Sequence, residues 1–182
     1  MNCANGWEKF LQAVAETTDL LPARTLGDVA QRAAPERIGL FGGTFDPPHL
    51  GHLVTAVNVR HALRLDRVLL MVAGEPWQKT GSRRITPAAD RLAMVKAAVD
   101  GVPGLEASAL EVERGGVSFT ADTLEALHQQ HPGALLYTIV GDDAATGFET
   151  WQRYERVAEL STLVVVDRPG FVAELPERFA WV

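Results

Sequence analysis

The chain has 182 residues, 47% of them hydrophobic and 22% charged. That size predicts one globular domain with room for a sizeable core, and the composition excludes a disordered chain. Seventeen Lys and Arg against 23 Asp and Glu give a net charge of −6, which argues against a general affinity for nucleic acid or anionic membrane, so any anion must be held by a local site. A single cysteine, Cys3, leaves neither an intrachain disulfide nor a cysteine zinc site and points to a reducing cytoplasm. No apolar run reaches membrane-spanning length, and Glu8, Glu16 and Asp19 stand where a secretory signal would be basic and then apolar.

Residues 1–37 read as an N-terminal extension. Trp7, Phe10, Leu11 and Val14 share one helical face, and Pro22 and Pro35 break the segment into short helices. From residue 38 to 182 the pattern becomes apolar strand, loop and amphipathic helix, repeated. The expected strands are Ile38–Phe41, Val68–Val72, Leu105–Val112, Leu135–Val140 and Leu163–Val166, and their near-continuous apolar runs suit strands buried on both faces. One helix is expected to begin near Gly51, with Leu53, Val54 and Val57 in period. Another is expected from Pro87 to Val99, with Leu92, Val95 and Val99 on one side. This alternation predicts an α/β domain: a doubly wound, Rossmann-like parallel sheet of about five strands, with helices on both faces and ligands at the carboxyl ends of the strands.

The most informative stretch follows the first strand: Gly42-Gly43-Thr44-Phe45-Asp46-Pro47-Pro48-His49-Leu50-Gly51-His52. Two glycines let backbone approach a ligand, and the helix that starts here aims amide groups and its positive dipole end at the same place. His49 and His52, three apart, could stabilise the charge on a phosphoryl group in transfer. The stretch is neither a dinucleotide-binding fingerprint nor a P-loop.

Gly42 to His52 resembles the signature of the H/T-x-G-H nucleotidyltransferases, which share a Rossmann-like fold with class I aminoacyl-tRNA synthetases. Its wording is most similar to bacterial nicotinate-nucleotide adenylyltransferases. The resemblance implies adenylyl transfer from ATP to nicotinate mononucleotide with Mg2+, giving the deamido dinucleotide and pyrophosphate in NAD biosynthesis. It assigns backbone and phosphate contacts to Gly42, Gly43, Thr44, Phe45 and Gly51. In Pro76-Trp77-Gln78-Lys79 it makes Lys79 a phosphate ligand, while the neighbouring Arg83 and Arg84 also fit a solvated basic loop.

Ser118-Phe119-Thr120-Ala121-Asp122-Thr123, after Arg114-Gly115-Gly116, resembles a segment that borders the nicotinate ring. Thr120, Asp122 and Thr123 fit a helix start equally well. Gly141-Asp142-Asp143 resembles a Gly-x-Asp in which Gly141 and Asp143 contact nucleotide. Trp151 matches a tryptophan that stacks on the pyridine ring, with the backbone of Gln152 near its carboxylate, and a core tryptophan of a helix with Val157 and Leu160 is the other reading. Arg168, in Arg168-Pro169-Gly170, corresponds to a region that approaches ATP. No dedicated metal ligands are expected, because the ion would sit between phosphates and waters.

The family carries a later Ile-Ser-Ser-Thr-x-x-Arg motif, and Phe171 to Val182 contains nothing like it; Phe179–Val182 reads as the opening of a sixth strand without its helix. Losing those ligands would remove several charge-assisted bonds to ATP, each worth roughly 1.5–3 kcal/mol, and turnover by a chain of this length is expected to suffer. Other readings are a superfamily enzyme acting on phosphopantetheine or nicotinamide mononucleotide, or a non-catalytic nucleotide-binding remnant. A homo-oligomer is compatible with the sequence.

Overall fold

A computed structural model describes residues 34–75 and 85–166. Five strands form one parallel sheet: β1 (Arg37–Gly43), β2 (Arg67–Val72), β3 (Leu105–Ser108), β4 (Leu135–Gly141) and β5 (Thr162–Val166), in the order β3-β2-β1-β4-β5. The helices between them are α1 (Leu50–Ala62), α2 (Ala88–Val99), α3 (Leu110–Arg114), α4 (Thr120–Gln130), α5 (Asp142–Thr146) and α6 (Tyr154–Leu160), with a 3-10 turn at Phe148–Thr150. The doubly wound expectation is therefore met.

Alternation along the strands explains the two layers. In β2, Val68, Leu70 and Val72 join the core beneath α1 and α2, while Leu69 and Met71 join the core beneath α4 and α6. In β1, Ile38 and Leu40 face the second layer. Gly39 faces the first, where an added Cβ would meet Leu65 and Ile139 at 2.9 and 3.0 Å. A side chain at position 39 would overfill that layer.

Two sequence expectations are corrected. The single strand expected over residues 105–112 is β3 followed by the short helix α3. Its apolar residues Leu110 and Val112 pack from a helix, each against a different layer. On α1 the buried residues are Ala56 and Val59, whereas Val54 and Val57 lie 48% and 43% exposed. The small Ala56 lets the helix sit close to the sheet, which turns the valine pair outward. The second helix begins one residue after Pro87, which is its N-cap, and buries Val95 and Val99 as expected; its largest buried side chain is Arg91.

The predicted helices of residues 1–33 and the sixth strand at Phe179–Val182 lie outside the described residues. No helix among the described residues is long and apolar enough to cross a membrane.

Candidate active site

The sheet's order reverses its winding between β1 and β4, the position where doubly wound sheets open a crevice beyond their carboxyl ends. The register shows it opening. Pairing of β1 with β4 stops at Phe41 and Ile139, yet pairing with β2 runs on to Gly43 and Val72. Gly42 and Gly43 thus border one side of a gap, and Val140 and Gly141 border the other.

The two glycines have different physical reasons. A Cβ on Gly43 would strike the Phe45 ring at 2.9 Å, while a Cβ on Gly42 would meet nothing within 4 Å. Gly43 is required by packing, and Gly42 leaves exposed backbone that a ligand can reach. Phe45 takes a left-handed conformation, φ 51°, and buries its ring against Phe41 and His52. The expectation for Phe45 changes accordingly: its side chain is a wedge that shapes the loop, leaving only its backbone for a ligand.

His49 and His52 meet at the start of α1, their rings stacked with centroids 3.7 Å apart. The His49 backbone N–H donates to His52 Nδ1 at 3.1 Å. Since Nδ1 accepts, the neutral His52 ring carries its hydrogen on Nε2, and the tautomer that can donate through Nε2 is set by the chain itself. The edge of Phe45 lies against the same ring, 5.0 Å between centroids. Gly51 completes the arrangement, because a Cβ there would sit 3.0 Å from His49 Nδ1. Gly51→Ala is expected to displace the His49 ring and lower turnover about tenfold with little loss of stability; steady-state rates beside a thermal melt check it.

A residue that sequence reasoning did not single out anchors this loop. Arg91, 1% exposed, donates from Nε to the Thr86 carbonyl at 2.8 Å and from its two Nη groups to the carbonyls of Thr44 (2.8 Å) and Gly74 (3.0 Å). Asp46 works in parallel, accepting the Thr86 N–H at 3.0 Å. Burial pulls the guanidinium down from its ordinary value, and the Asp46 charge opposes that. One side chain therefore ties together the glycine loop, the chain after β2 and the start of α2. An arginine inside an apolar helical period, four residues before Val95, was the available signal.

The Ser118–Thr123 segment runs into α4 and closes the other side. Ser118 Oγ accepts the Gly74 N–H at 2.9 Å, and Glu75 bridges to Val117. Thr120 and Asp122 occupy the first turn of α4, both partly exposed. Thr123 is fully buried and donates its hydroxyl to Glu111 at 2.6 Å. That changes the expectation for Thr123: its side chain joins α4 to α3 and does not face a ligand.

Gly141 is the N-cap of α5, and Asp143 is exposed there, its carboxylate accepting the Ala144 N–H at 3.0 Å. The chain then turns through Phe148–Thr150 to Trp151 and Gln152. Trp151 precedes α6 rather than lying within it, and its half-buried ring sits 5.5 Å from that of Phe148. The structure thus brings Gly42, Gly43, Thr44, His49, Gly51 and His52 together at the end of β1. It sets Gly141 and Asp143 at the end of β4, leading to the Trp151 turn. Lys79 and Arg168 lie outside the described residues.

A glycine loop, a helix start and a histidine pair at the switch point of a parallel sheet are the parts of a nucleotidyltransferase, and a model of the cytidylyltransferase-like family matches residues 40–180. Among curated relatives named nicotinate-nucleotide adenylyltransferase, that of Thermomicrobium roseum is 43% identical over 146 residues, covering 80% of this chain and 68% of the relative. That of Desulfitobacterium hafniense is 46% identical over 139 residues, covering 76% and 67%. The chain belongs to the nicotinate-nucleotide adenylyltransferase family, and it spans about two thirds of the length of the curated relatives it matches. The fold is shared with the nicotinic acid mononucleotide adenylyltransferase of Plasmodium falciparum complexed with NaAD. That match has a TM-score of 0.64 at 17% identity and covers 75% of this chain and 67% of the other.

Proposed function

We propose that the chain transfers the adenylyl group of ATP to nicotinate mononucleotide, releasing pyrophosphate. The observation that carries this reading is the His49–His52 pair, stacked at the start of α1 beside the crevice with the His52 tautomer fixed. Family membership supports the choice of substrates.

The chemistry is a direct displacement. A 5′-phosphate oxygen of nicotinate mononucleotide bonds to the α-phosphorus of ATP, the bond from that phosphorus to the bridging oxygen breaks, and pyrophosphate leaves with the electron pair. The attacking phosphate is anionic at neutral pH, so the protein's part is positioning and charge stabilisation rather than general base catalysis. The His52 Nε2–H and the His49 ring donate to oxygens on the α-phosphate and the departing pyrophosphate, and the α1 start adds its amides. Gly42 to Thr44 supply backbone contacts, Lys79 and Arg168 pair with phosphate charge, and Gly141 and Asp143 hold the nucleoside. Thr120, Asp122, Trp151 and the Gln152 backbone border the pyridine ring.

Mg2+ would neutralise triphosphate charge when bound. The chain is proposed to give the ion no dedicated ligand, leaving it to substrate phosphates and water. A reducing cytoplasm is the compartment proposed, on the strength of the single cysteine.

The test is pyrophosphate release by the purified chain with ATP, Mg2+ and, in parallel, nicotinate mononucleotide, nicotinamide mononucleotide or phosphopantetheine. Release with the nicotinate substrate alone is expected. Release with another acceptor overturns the substrate assignment, and none with any acceptor overturns the activity.

A further inference from the structure

The pyridine side of the site, as proposed above, is made of two pieces distant in sequence: the first turn of α4, with Thr120 and Asp122, and the Trp151–Gln152 turn that precedes α6. Trp151 packs half-buried against the core it shares with Ala121 and Leu124 of α4, whereas Gln152 is exposed and Thr120 and Asp122 are partly so, and there polar contacts set the spacing. Arg153 stands at the junction. It is the N-cap of α6, and its backbone is left-handed, φ 55° and ψ 46°, a conformation that a residue with a side chain adopts only when its surroundings demand it. Its carbonyl accepts the N–H groups of Arg156 (2.9 Å) and Val157 (3.2 Å), which starts the helix.

The side chain reaches back across the gap. The Arg153 guanidinium pairs with Asp122 on the first turn of α4 and donates to Glu125 Oε1 at 3.2 Å, one turn further on. Arg156 Nε donates to the same Glu125 oxygen at 3.0 Å and, through Nη1, to Glu159 at 2.9 Å. The Arg156 bond, aided by Arg153, holds the Glu125 carboxyl below its ordinary range. Arg153 and Asp122 are 42% and 39% exposed, so salt can screen this clamp, unlike the buried Arg91 anchor.

We propose that Arg153 is a positioning residue of the pyridine-nucleotide site: by bridging Asp122 and Glu125 of α4, it fixes the Trp151–Gln152 turn at the separation the substrate ring needs. It also neutralises the Asp122 carboxylate, which would otherwise repel the carboxylate of a nicotinate substrate. The phosphate-transfer groups on β1 and α1 lie on other elements and do not depend on it. This role rests on the adenylyl-transfer reading.

The experiment compares steady-state kinetics of the full chain with those of Arg153→Ala and Arg153→Lys. Arg153→Ala is expected to raise KM for nicotinate mononucleotide about fivefold, the equivalent of roughly 1 kcal/mol and the upper range for exposed ion pairs. Its kcat and its KM for ATP stay unchanged. Arg153→Lys recovers part of the loss, because it keeps the charge but not the two-pronged donor. Raising NaCl increases KM for nicotinate mononucleotide in the wild type but lowers it in Arg153→Ala, where salt screens the repulsion from the unpaired Asp122 carboxylate; a merely structural ion pair would not reverse the sign. An unchanged KM in Arg153→Ala overturns the proposal, as does a parallel rise in both KM values with a lowered melting temperature. A wild-type chain without turnover on nicotinate mononucleotide overturns the functional reading and this role together. An active wild type with an indifferent Arg153→Ala overturns this role alone.

Discussion

His52→Ala is expected to lower turnover at least about a hundredfold while the protein remains folded, the scale on which removing one preorganised donor to a developing anion acts. The ring is held from three sides: the His49 N–H bonds Nδ1 at 3.1 Å, the His49 ring stacks upon it, and Phe45 meets it edge-on. Such a ring needs no reorganisation when phosphoryl charge shifts, which is why its loss should fall on kcat rather than on KM. Its ring partners Phe41 and Phe45 keep their own packing in the core without it, so far-UV circular dichroism and the melting temperature should stay near wild type. Turnover within threefold of wild type would remove His52 from the mechanism.

Arg91→Met should produce the largest loss of stability among single changes to the described residues around the site. It leaves the carbonyls of Thr44, Gly74 and Thr86 without the donors that now satisfy them. Each stranded acceptor costs roughly 1–3 kcal/mol, and relaxation makes the sum less than additive. A net loss of about 3–5 kcal/mol is expected, a large share of the 5–15 kcal/mol that typically holds a domain folded. The midpoint in urea unfolding reads it directly. Arg91→Lys should fall between, because an ammonium group retains the charge facing Asp46 but cannot reach three divergent carbonyls at once. If Arg91→Met unfolds at the wild-type midpoint, the guanidinium is not the anchor of these loops.

Much of this architecture is legible in the residues because each strand carries its own signal. The apolar runs of β1, β2 and β4 are buried on both faces, which is what makes a strand continuous rather than alternating, while the edge strand β5 fully buries Val164 alone. Residues 105–112 read as one strand because a four-residue strand and a five-residue helix together make one apolar stretch, too short for either period to show. On α1 the sequence cannot say which of several valines turns inward, since that depends on how closely Ala56 lets the helix approach the sheet.

At the site, the glycines and histidines are legible because their chemistry depends on residue type. For Thr123 and Phe45 a motif conveys only adjacency in sequence, whereas burial decides which side chain can reach a substrate, and both of theirs are buried. Arg91 and Arg153 act through contacts with residues 47 and 31 positions away (91 − 44 and 153 − 122), and no local pattern announces such partners.

The place of β1 in the sheet has a consequence for how the protein is made. Among the described strands it is the first synthesised and the central one, and its pairing with β4 joins Arg37 to Leu135, which is 135 − 37 = 98 positions later. A ribosome adding roughly 5–20 residues each second leaves one edge of that strand unsatisfied for about 5–20 seconds. During that interval β1 and β2 can pair, but the layer that will lie under α4 and α6 stays open to water, with Ile38, Leu40, Leu69 and Met71 uncovered. The nascent chain is therefore most open to chaperone capture and to aggregation between the emergence of β2 and that of β4, and the crevice that receives nucleotide is among the last features to form.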